Sequence, residues 1–130
     1  MTATAIRVGR RRIEVSHADK ELFPRDHITK RDVVEYYEKI AHRMVPHLHG
    51  RPLALQRFPD GISRQGFLQK QAPDYLPDWI NTIGLERVRG GRVEHIVCDD
   101  GATLVYLANQ AAIALHRLLV DRRAPPLPSS

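Results

Sequence analysis

The chain has 130 residues, 42% of them hydrophobic, enough for one domain with its own core and too few for two. Twenty Lys and Arg against fifteen Asp and Glu leave a formal charge of +5, which points to solubility or to an anionic partner such as nucleic acid. A single cysteine, Cys98, excludes an internal disulfide and reads as a buried inert thiol in a reducing cytoplasm. No stretch approaches the ~20 apolar residues of a membrane span, and Met1 to Val8 does not read as a signal peptide.

In chain order, Ile6 to Val8 and Arg12 to Val15 alternate apolar with charged residues around Gly9-Arg10, the pattern of a short hairpin at a sheet edge. Ser16 to Pro24 is polar and closed by a proline, so it reads as a loop or a single helical turn. Thr29 followed by Asp32 resembles a capping box. Val33, Val34, Tyr37, Ile40, Ala41, Met44, Val45 and Leu48 then recur at spacings of three and four, which predicts an amphipathic helix. Pro46 should disturb its last turn and Gly50 should stop it.

Pro52 to Phe58 reads as a strand, turning at Pro59-Asp60-Gly61 so that Gly66 to Lys70 can return beside it. Ala72 to Trp79, with prolines at 73 and 77, is an irregular crossing anchored by Tyr75 and Trp79. Glu86 to Arg89 and Arg92 to Val97 flank Gly90-Gly91 as a two-residue hairpin loop. Asp99 or Asp100 caps a helix that is apolar almost all round from Leu104 to Leu115. The pattern is an α+β domain over residues 1–120, with two main helices on a mixed or antiparallel sheet. Residues 121–130, rich in proline and serine, form a disordered tail.

Few constellations carry chemistry. Asp99-Asp100 suits a helix cap better than a metal site, and Asp19 with Glu21 suits a solvated loop. His42, His47 and His49 lack the converging ligands zinc requires, and Ser16 and Ser63 sit in no nucleophile motif. Lys20 in the loop and Lys30 at the helix start could instead converge with His17 on one anion, because a helix start offers free amides and partial positive charge. Ordinary exposed surface is the competing reading of Lys30-Arg31. Arg51, Arg57, Arg64 and Lys70 interleave with Phe58 and Phe67, as core strands do and as base-stacking sheets do.

Several stretches together resemble one family. They are Val15 to Pro24, Ile28-Thr29-Lys30, Gly50 to Leu53, Arg57 to Gly61, Gly66 to Lys70, and Cys98-Asp99-Asp100 through Thr103 to Gln110 and on to His116. In order and spacing they resemble the primase-polymerase domain of bacterial ATP-dependent DNA ligase D, an end-joining repair enzyme. The resemblance implies the amino-terminal portion of an archaeo-eukaryotic primase-type fold.

It further implies a pocket for the 5′-phosphate of a DNA end at His17, Lys20 and Lys30. Phe67 would stack on a template base, with Arg57 and Lys70 as further DNA contacts, and His116 would lie near the phosphates of an incoming nucleotide. Leu68 stands where the family often has a second aromatic ring, so the template grip would be weaker or carried by Phe67 alone. The family continues past His116 to an Asp-x-Asp strand that this sequence lacks, so no catalytic residue is expected in this chain. Mg or Mn and a nucleoside triphosphate would serve only a complete polymerase domain. Expected partners are phosphorylated DNA ends, the missing catalytic half, a ligase domain or a Ku-like protein, or a second copy of the chain. The expected location is the bacterial cytoplasm.

Overall fold

A computed structural model describes residues 4–87 and 90–118; the tail read as disordered lies outside these residues. The order of elements begins with β1 (Thr4–Val8) and β2 (Arg11–Val15), then β3 (Glu21–Phe23), a single 3-10 turn (Pro24–Asp26), β4 (Ile28–Thr29) and helix α1 (Lys30–Leu48). It continues with β5 (Leu53–Arg57), β6 (Phe67–Gln69), β7 (Thr82–Glu86), β8 (Arg92–Ile96), helix α2 (Gly101–Asn109) and β9 (Ala112–Arg117). Every strand pairing is antiparallel, in the ribbons β1-β2, β3-β4 and β7-β8 and the three-stranded sheet β6-β5-β9. The fold is α+β, as expected.

The first hairpin closes on a two-residue turn with Gly9 at φ 62°, a conformation that costs glycine little. Ile13 and Val15 point into the core while Arg12 and Glu14 face water. The start of α1 is the expected capping box: Thr29 Oγ1 accepts from the Asp32 amide at 3.2 Å and Asp32 Oδ2 accepts from the Thr29 amide at 2.9 Å. Pro46 lies inside α1 without ending it, since the His49 amide still donates to the Val45 carbonyl at 2.8 Å. Near the end of a helix a proline removes one ladder bond, and the apolar packing of Leu48 holds the final turn.

Four expectations need correction. Within the stretch read as a loop, Glu21–Phe23 is a strand paired with β4. The ladder of β7 and β8 begins at Thr82 and ends at Glu86 opposite Arg92, and the Arg87 amide then bonds the Gly91 carbonyl at 2.9 Å. Gly90-Gly91 is therefore not a two-residue loop. Tyr75 anchors nothing, being 64% exposed, whereas Trp79 does pack, edge-on against Tyr106 at 6.2 Å. The apolar run 104–115 is not one helix: α2 ends at Asn109, Ala111 takes φ 58°, and the chain leaves as β9 against β5. A continuous apolar run suits a buried strand and a buried helix equally, so periodicity could not place that break.

The core lies where α1 and α2 cross, closed by β1-β2 on one side and by Leu53 and Leu55 of β5 on another. Leu22, Val34, Leu53, Leu104, Val105 and Leu107 are sealed from water. Two polar clasps tie the elements. Asp99 accepts from the Gly50 amide, His49 Nδ1 and Asn81 Nδ2 at 2.8–2.9 Å, joining the end of α1 to the start of β7. Buried Tyr37 donates its hydroxyl to the carbonyls of Ala112 and Ile113, both at 3.0 Å, holding β9 against α1, and burial raises its pKa to about 12. Tyr37→Phe leaves those carbonyls without this donor and should lower unfolding free energy by about 1–2 kcal/mol, read as the midpoint of urea denaturation.

Candidate phosphate site

β2 runs into a tight turn at residues 16–20, where His17 adopts φ 54° and its carbonyl accepts from the Lys20 amide at 3.0 Å. This turn docks on the start of α1. The Lys30 amide donates to the Lys20 carbonyl at 2.7 Å and the Arg31 amide to the Ala18 carbonyl at 3.0 Å. With Asp32 bound to Thr29, the amides of the first helical turn are all taken. The expectation of free helix amides for an anion fails here, because the loop's own carbonyls occupy them. Any anion at this corner has to be held by side chains.

The side chains are well placed for that. Lys30 retains 6% of its surface, and its Nζ donates to Ser16 Oγ at 3.0 Å. Burial first, then the charges of Lys20 and Arg57, bring its ammonium down from 10.5 to about 8. Lys20 and Arg57 thus each bear on the Lys30 ammonium, though less than burial does. Lys20 pairs with Asp60 Oδ1 at 2.9 Å, and that hydrogen bond and charge, helped by Arg64, hold the Asp60 carboxyl below its usual range. Asp60 stands in the turn after β5, a turn pinned to β3 by the Ile62 amide bonding the Leu22 carbonyl at 2.8 Å.

Arg57 spans the corner. Its Nε donates to the Gln110 carbonyl at 2.7 Å, its terminal nitrogens to Gln69 at 2.8 Å and Gln110 at 3.1 Å, and its guanidinium lies 5.1 Å from the Phe67 ring centre. Phe67 is left 45% exposed with a cation against its ring. Gly66 is obligatory beside it: a Cβ there would stand 2.5 Å from the Arg57 carbonyl oxygen and from the Phe58 ring.

Lys20 and Lys30 are thus joined through the backbone, and Arg57 acts on Lys30 through its charge. His17 sits one turn from Lys20 with an exposed ring that has no hydrogen-bond partner among the described residues. Lys70 is exposed three residues beyond Phe67, on the order of 10 Å along β6. His116 is exposed on β9 opposite Ala54, and strand alternation puts it on the sheet face away from Arg57 and Phe67. Leu68, opposite Gln56, shares the face of His116, so Phe67 and Leu68 address different sides of the sheet. Two partners went unread in the sequence: Asp60, taken only as a turn residue, and Ser16, weighed only as a nucleophile.

Among the described residues no three His, Cys, Asp or Glu side chains converge as a metal site. Asp99 is engaged as above, and Asp100 caps α2 by accepting from the amide and hydroxyl of Thr103 at 2.8 and 2.7 Å. Cys98 is buried, and desolvation followed by the two neighbouring aspartates pushes its thiol up to about 12, which makes it inert at neutral pH. Among the described residues no helix is long and apolar enough to cross a membrane.

The α+β fold matches part of a solved structure titled polymerase domain from Mycobacterium tuberculosis ligase D in complex with DNA. The TM-score is 0.78 and the identity 31%, over 81% of this chain and 36% of that one. The model of the LigD primase-polymerase domain family matches residues 29–129, and the chain belongs to that family. It is 33% identical over 105 residues to the bifunctional non-homologous end joining protein LigD of Bacillus subtilis. It is 32% identical over the same length to the multifunctional non-homologous end joining DNA repair protein LigD of M. tuberculosis. These alignments take in 81% of this chain but only 16% and 14% of the two relatives.

A buried ammonium without a carboxylate partner costs stability, which separates it from an ordinary structural lysine. Between pH 8 and 10.5 the unfolded chain holds a proton on Lys30 that the folded chain has shed, so stability should rise with pH across that window. Lys30→Met should match or exceed the parent in unfolding free energy at pH 7, by up to about 1 kcal/mol after solvent screening, and should flatten that rise. Denaturant titrations of both proteins at pH 7, 9 and 10.5 check it.

Proposed function

We propose that this chain recognises the 5′-phosphate of DNA at gaps and breaks, as the end-binding portion of a LigD-type primase-polymerase in non-homologous end joining. The observation that carries the reading is buried Lys30, docked by its backbone on Lys20 and held by Ser16, with Lys20 paired to exposed Asp60. A terminal phosphate, with a second ionisation near pH 6, can displace Asp60 from Lys20 and supply the countercharge that Lys30 lacks. His17 stands at the rim and adds a further donor. Phe67, already backed by Arg57, offers a ring to a base next to that phosphate, and Lys70 a more distant charge. His116, on the other sheet face, is assigned to the nucleotide side.

The relatives' names support the repair setting, and the DNA in the solved polymerase complex supports the ligand class. A complete polymerase reaction would add Mg or Mn and a nucleoside triphosphate, held by carboxylates that the described residues do not gather, so no step of nucleotidyl transfer is assigned to them. The remainder of a polymerase domain, a ligase domain and a Ku-like protein are the proposed partners.

The reading is tested by measuring affinity for a gapped duplex with and without a 5′-phosphate. The phosphorylated duplex should bind about tenfold or more tightly, and Lys20→Ala with Lys30→Met should erase that preference. Asp60→Asn frees Lys20 from its competitor and should strengthen phosphate binding severalfold. Equal affinity of the parent for the two duplexes would refute the pocket.

A further inference from the structure

Four arginines crowd six positions of the first hairpin: Arg7, Arg10, Arg11 and Arg12. All four are exposed, and among the described residues none pairs with a carboxylate. Arg11 shares the inward side with Ile13 and Val15, and its guanidinium lies 4.4 Å over the Trp79 ring. Arg7 and Arg12 stand directly opposite each other on the solvent face, a placement in which like charges repel. An opposite charge placed over that face would relieve the repulsion. The hairpin also lies ahead of residues 29–129, which the family model matches.

Its position relative to the phosphate site is fixed by the backbone. β2 runs without interruption from Arg11 to Val15, and the next residue, Ser16, accepts the hydrogen bond of Lys30. Five residue steps at roughly 3.3 Å span about 16 Å. Duplex DNA rises about 3.4 Å per base pair, so the same span is about five base pairs. The outward side of β2 carries Arg12 and Glu14, and Glu14 is the one acid along that path. It separates a phosphate held at Lys30 from the arginines at the far end of the hairpin.

We propose that the β1-β2 hairpin is a second contact for the DNA backbone, in which Arg7, Arg10 and Arg12 neutralise phosphates of duplex about five base pairs from the bound end. Guanidinium groups suit this role because they bind phosphate in a fork and remain charged at any physiological pH. The contact carries no sequence information; it adds affinity and orients the duplex. It deepens the end-binding reading, on which it rests for its starting point at Lys30.

The test compares the parent with the triple variant Arg7→Gln, Arg10→Gln, Arg12→Gln on gapped duplexes, with and without a 5′-phosphate, with flanks of four or of twelve base pairs. Arg11 stays because it packs on Trp79. With long flanks the variant should bind about tenfold or more weakly, and its salt slope should be shallower by about 2–3. The ratio of affinities for phosphorylated and unphosphorylated DNA should be unchanged. With four-base-pair flanks the two proteins should bind alike. The variant should melt no lower than the parent, since a repulsive pair is removed, so lost affinity will not reflect lost folding. Unchanged affinity and slope on long flanks would overturn the proposal. A normal loss on long flanks in a parent with no phosphate preference would keep the hairpin contact and reject the end pocket instead.

Discussion

Lys30 is the constraint around which this corner of the molecule is organised. A charged amine is carried into a largely dry position, beside two more cations, with one neutral hydroxyl as its hydrogen-bond acceptor. Desolvation and like charge both act against it, so the ammonium contributes little to folding, and the proposed function gives it an incoming anion as partner. The surrounding structure has to be stable enough to hold it. The capping box at Thr29, the docked turn of residues 17–20 and the sealed packing of Leu22 and Val34 supply that support from three sides.

The same arrangement decides what kind of anion site this is. Helix amides are the usual source of anion affinity at a helix start, but here the carbonyls of Ala18 and Lys20 have taken them. Fixed dipoles give way to side-chain ammonium groups, one of them bound to Ser16 and the other to Asp60. In the proposed reading the site responds to pH and to salt, and it exchanges one carboxylate for one phosphate rather than filling an empty cradle. Arg57 differs from both lysines, since its three hydrogen bonds to Gln69 and Gln110 make it a fixed positive wall behind Phe67.

Much of the fold was legible in the sequence where local chemistry dictates it. Thr29 with Asp32 announced the helix start, Gly9 the first turn, and Pro59-Asp60-Gly61 between two strand-like segments the pairing of β5 with β6. The failures share one cause, the dominance of tertiary contacts over local pattern. The run from Leu104 to Leu115 is apolar throughout, and only the pairing of β9 with β5 decides where helix becomes strand. Of the two anchors read by residue type, Trp79 packs against Tyr106 and Arg11 while Tyr75 stays exposed. In the candidate site, Lys20 and Lys30 were singled out from charge at a helix start. Asp60 and Ser16 were missed because they lie 40 and 14 residues away from the lysines they bind.

The central claim is that Lys30 is a depressed, phosphate-responsive ammonium. NMR titration of its side-chain Nζ, assigned by its loss in Lys30→Met, reads that state directly. The account predicts a pKa about 8 in the free chain, rising by a unit or more when 5′-phosphorylated gapped DNA is bound and moving less with the unphosphorylated duplex. A free-state value of 10.5, or the same response to both duplexes, would contradict it.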